Sequence, residues 1–99
     1  MFVVVSIDGV DLEEPDDCSA FHLVARDVGP EEVQGALSGF GAFEGDHAWI
    51  EPEVLCTLAE GRVADDWEDR FDAMRTHATG KGWVDAEGRI RAHVQWETD

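Results

Sequence analysis

The sequence predicts an α+β fold, an antiparallel β-sheet with three helices packed on one face. Three observations point there. Phe2 to Ile7 is almost wholly apolar and β-branched, three central segments carry helical apolar spacing, and Ile90, Ala92, Val94 and Trp96 alternate with polar neighbours. From residue 30 onward the order helix, short strand, helix, helix, hairpin also matches a winged-helix-like arrangement, which is the competing expectation.

Phe2 to Ile7 reads as a strand buried on both faces. An acidic, turn-rich stretch from Asp8 to Cys18 follows as a loop, and Phe21 to Arg26 reads as a second strand, antiparallel to the first. Pro30 after Gly29, with Glu31 and Glu32 in the first turn, opens a helix whose stripe is Val33, Ala36, Leu37 and Phe40. Residues 39–45 read as a flexible aromatic loop, and His47 to Ile50 as a short strand. Pro52 starts a second helix with Val54, Leu55 and Leu58 inward, ended by Gly61.

Asp65 as N-cap and Glu68 three residues on frame the third helix, a capping-box spacing. Val63, Trp67, Phe71, Met74 and Ala78 make one apolar face, closed by Gly80. Trp83 and Val84, a turn over Asp85 to Gly88, and Arg89 to Trp96 read as a C-terminal hairpin. Trp67 and Trp96 are expected in the core, as is Cys56.

Ninety-nine residues make a single domain, residues 1–99, with one modest core. Seven Lys plus Arg against 23 Asp plus Glu leave a net charge of −16. Phosphate binding requires cations, so direct nucleic-acid binding is not expected, nor is an anionic membrane surface. No apolar run approaches the ~20 residues of a spanning helix, and the N-terminus lacks the basic start of a signal peptide. Cys18 and Cys56 stand apart as reduced thiols, which points to the cytoplasm. The lack of Asn and Tyr and the single Lys fit a GC-rich or salt-adapted coding bias, to which part of the charge belongs.

Chemistry-bearing patterns are sparse. Arg89, Arg91 and His93 share one side of the last strand, a candidate anion-binding face. Asp66, Arg70 and His77 border the apolar stripe of the third helix, where Arg70 and His77 would assist such a site. Phe40, Phe43 and Trp49 are candidates for an aromatic pocket or interface. The histidines show no metal-ligand spacing, no catalytic nucleophile signature is present, and no cofactor is expected. Two functions follow as expectations. The first is an acidic intracellular module for protein–protein contacts, with a basic partner; the second is a small enzyme or ligand carrier using Arg89, Arg91 and His93. Homo-oligomerisation is compatible with both.

Overall fold

The computed structural model describes residues 1–39 and 41–97. In chain order they form β1 (Phe2–Ser6), β2 (Gly9–Glu13), β3 (His22–Arg26), α1 (Pro30–Ala36), β4 (Gly41–Glu44), β5 (His47–Ile50), α2 (Pro52–Ala59), α3 (Trp67–Gly80) and β6 (Ile90–Glu97). All six strands join one sheet in the order β2-β1-β3-β6-β5-β4. The class is α+β, but the sheet is mixed. β1 with β3, and β3 with β6, run parallel; the pairs β1–β2, β5–β6 and β4–β5 run antiparallel.

The expected antiparallel partner of β1 is therefore not the strand at residues 21–26. Its antiparallel neighbour is β2, which turns straight back at Asp8-Gly9, with Gly9 at φ +121° and Ser6 opposite Gly9. The chain then crosses over through residues 14–21, so β3 begins level with β1, His22 opposite Phe2. The winged-helix arrangement fails on the same topology: the β4–β5 hairpin and β6 are built into the six-stranded sheet. The C-terminal hairpin is reduced to a bridge between Val84 and Ile90 beside β6. Because β6 lies between β3 and β5, the sheet's edges are β2 and β4.

Two strands lie where loops were expected. In β2, Val10 and Leu12 alternate with Asp11 and Glu13, and Leu12 is wholly buried beside Val3. β4 lies in the glycine-rich stretch and pairs with β5 around Gly45. Gly41 is required there by space: a Cβ on it would fall 1.7 Å from the Trp49 carbonyl oxygen.

Local chemistry explains the helix starts. In α1, Pro30 occupies the first turn and the Glu32 carboxylate accepts the Gly29 N–H at 3.0 Å. In α3 the expected capping box at Asp65 and Glu68 is absent, since the helix begins at Trp67 and Asp66 makes no side-chain cap. Val63 lies ahead of it, packed on the core from the preceding loop.

Register assembles the core. Val3, Leu23 and Val94 lie side by side, Val5 is beside Ala25, and Ala48 and Ile50 face Ala92 and Ile90. These join Val33, Leu37, Leu55, Ala59, Trp67, Phe71 and Ala78 in one buried cluster, so every helix contributes to it. No residue of the alternate strand positions belongs to the cluster; Val4 and Val24 are buried apart from it. Trp96 is a correction. It lies near the end of β6, 40% exposed, with its ring edge-on to Phe43 at 6.1 Å. Cys56 is another, exposed on α2. Among the described residues no helix is long and apolar enough to cross a membrane.

Candidate functional site

The five candidate polar residues do not share one site. Arg89 is consumed by the turn ahead of β6. Its Nε meets the Asp85 carboxylate at 2.7 Å and its Nη2 meets Glu87 at 3.2 Å. The same Asp85 carboxylate accepts the N–H groups of Arg89 at 2.8 Å and Glu87 at 3.0 Å. Burial pushes the Asp85 carboxyl up, but hydrogen bonds from the Arg89 N–H, its guanidinium and the Glu87 N–H outweigh that and hold it below 3.8. A depressed carboxyl stabilises the fold above its unfolded value and loses that effect as pH falls through its folded value. Asp85→Asn therefore lowers the melting temperature by about 5 °C at pH 7. The difference from the parent closes as the pH falls below 3.8. Thermal melts of both proteins from pH 7 down to the acid limit check it.

Arg70 is likewise engaged. Its guanidinium donates to the Asp16 carbonyl and lies 2.9 Å from the Asp16 carboxylate and 3.4 Å from Asp66. The Ala64 N–H and this guanidinium hold the Asp16 carboxyl below its ordinary value. The pair ties the residue 14–21 crossover to α3. His93 is exposed on the sheet face that contributes nothing to the core cluster. There the register sets His22, His93 and His47 in one row across β3, β6 and β5. Phe2 stacks on His22 at 4.9 Å, and the His47 and His93 rings meet at 5.9 Å. Residue spacing concealed this row, because only the pairing of three distant strands creates it. Among the described residues no group of three or more His, Cys, Asp or Glu is arranged to hold a metal.

Arg91 and His77 do converge. They share a cavity of about 240 Å³ with Ser19, Phe21, Met74, Trp83 and Ile90. The Arg91 guanidinium lies 5.9 Å from the Trp83 ring centre, and the His77 ring is edge-on to the same indole at 6.1 Å. An adjoining groove runs from Met74 and His77 to Cys18, Asp16 and Arg70. Burial pushes the Cys18 thiol up, away from the reactive thiolate.

The aromatic trio does not form. Phe43 sits opposite Ala48, and Trp49 is the next residue on β5, so the two side chains project from opposite faces of the sheet. Phe40 lies outside the described residues.

A third concavity, of about 450 Å³, separates α2 from the start of α3. Trp67 and Val63 line it, with Glu60, Asp65 and Glu68 around them. Burial raises the thiol of Cys56 in its wall; Arg75 opposes this, and Glu68, Asp72 and Glu53 add to it, so carboxylates of both helices and one cation bear on one spot.

No protein-family model matches the chain, no curated protein matches it, and no solved structure does.

Proposed function

We propose that the protein is a small binding module acting through protein–protein contacts, with an acidic helical surface that takes a basic partner. The disposition of charge carries the reading. Five of the six arginines, Arg26, Arg62, Arg70, Arg75 and Arg89, lie within 4 Å of carboxylates of the same chain. Those arginines engage eight of the described acids, Asp11, Glu13, Asp16, Asp66, Asp72, Asp85, Glu87 and Glu97, and leave most of the carboxylates outside these pairs. Glu53, Glu60, Asp65, Glu68 and Asp69 are in no ion pair with a described residue, and all five are exposed on or between α2 and α3. The Trp67-lined concavity lies among them, an apolar floor with a charged rim of the kind that anchors a Lys or Arg stem. In this reading the three helices cover one face of the sheet and present their acids on the outside.

The test is retention of basic proteins from a lysate at about 50 mM and about 500 mM salt, since exposed charge contacts are screened between those limits. One variant carries Glu53→Gln, Glu60→Gln, Asp65→Asn and Glu68→Gln. A control neutralises Asp8, Glu44 and Glu87. The parent and the control are expected to hold the same basic protein at low salt and release it at high salt, while the helix variant does not hold it. Equal retention by all three, or retention by none, overturns the proposal.

A further inference from the structure

Arg91 stands out because the chain's other arginines are matched. It makes no ion pair with a described residue, and its guanidinium is disposed over the Trp83 indole at 5.9 Å. Among the described residues the cavity it lines has no carboxylate in its wall, in a chain with 23 acids. We propose that this cavity is a binding site for a small aromatic or branched apolar monocarboxylate. Arg91 and His77 hold the carboxylate, and Trp83, Phe21 and Met74 enclose the apolar body.

The walls are built to hold position. The Trp83 backbone N–H donates to the Ala78 carbonyl at 2.9 Å, and the Trp83 carbonyl accepts the Arg91 backbone N–H at 2.7 Å. The main chain that carries the indole is thus tied to the end of α3 and to the start of β6 at once. The His77 and Ala78 carbonyls at that helix end would repel an anion, but they are taken by the N–H groups of Lys81 and Trp83. Trp83 remains 37% exposed, leaving ring surface for a ligand to cover.

Size and charge define the occupant. The cavity is about 240 Å³, below the about 300–1,000 Å³ of drug-sized sites, which limits it to one or two rings. Arg91 supplies one fixed positive charge in a fork that matches a carboxylate, and the His77 imidazole carries an N–H donor in either protonation state. An anion here meets a cation it need not take from an internal carboxylate, unlike at Arg70 or Arg89.

The experiment is a titration of isotope-labelled protein with naphthalene-2-carboxylate, followed through backbone amides and the four tryptophan indole N–H signals. The Trp83 indole and the amides of Met74, Ala78, Ile90 and Arg91 are expected to shift saturably below about 10 mM. Naphthalene-2-carboxamide, with the same rings and no charge, binds about tenfold or more weakly, because it lacks the charge-assisted bonds. Arg91→Gln weakens the carboxylate by the same factor and leaves the carboxamide unchanged, whereas Arg75→Gln alters neither. Equal affinity of the two probes for the parent overturns the proposal even if Arg91→Gln fails to fold. So do the absence of saturation and shifts centred away from Trp83.

Discussion

Replacing Phe71 by alanine lowers stability by about 3–5 kcal/mol, the range for emptying a buried aromatic site. Phe71 is 2% exposed and stacks on Trp67 at 4.8 Å with the rings 8° from parallel. Both belong to the cluster that also takes Leu55 of α2 and Val94 of β6. The lost ring leaves a gap that the flanking helices and sheet fill only in part. A domain of this size has roughly 5–15 kcal/mol in total, so the melting temperature falls by about 15–30 °C. Urea and thermal unfolding measure it, with Trp96→Ala, half-exposed at the end of β6, as the smaller reference. A loss at Phe71 no larger than at Trp96 would place the ring outside the core.

Raising the salt concentration stabilises the protein, and the effect is large. Two opposing effects compete. Internal ion pairs weaken with salt, but their side chains are mostly solvent-exposed, and such pairs contribute about 0–1 kcal/mol each. Against them stands the net charge of −16. At a separation of ~20 Å each like-charged pair costs ~0.2 kcal/mol in water, and sixteen net charges make about 120 pairs. The unfolded chain relieves part of that cost by expanding. At about 10 mM salt the Debye length of ~30 Å leaves most of the repulsion in place; at 0.15 M it is ~8 Å and little survives. Repulsion therefore decides the sign, and the melting temperature rises by about 10 °C or more between about 10 mM and 500 mM sodium chloride. A flat or falling curve would show that the ion pairs dominate.

Much of the architecture was written in local pattern. The apolar run at Phe2, the Pro-initiated helices and the Trp67–Phe71–Ala78 spacing each specify an element through its own residues. β2 and β4 escaped because acids and glycines mask their alternation, although Asp8-Gly9 followed by Val10 and Leu12 is a hairpin signal. Strand direction is a different matter. Whether β3 runs with or against β1 is decided by β2, which carries the chain back to the start of β1 before the crossover, and no residue in β3 encodes that. The site divides likewise. Arg89 was legible as a turn residue from Asp85 and Glu87 just before it. The cavity that Arg91 and His77 both line was not, since it depends on the Trp83 backbone reaching back to Ala78 and across to Arg91.

The position of β6 governs how the chain reaches this state. Residues 1–89 contain a three-stranded piece, β2-β1-β3, and a two-stranded piece, β5-β4, with no strand-to-strand hydrogen bonding between them. Only the residues made last among the six strands bridge the two. Both pieces expose a bare inner edge until β6 slots in and pairs with both at once. Folding therefore ends in a closing event whose strand pairings join residues far apart in sequence, which slows it for a chain of this length. A nascent chain halted before Ile90 would present two open strand edges to its surroundings, and the acids that crowd the finished surface would be its main guard against self-association.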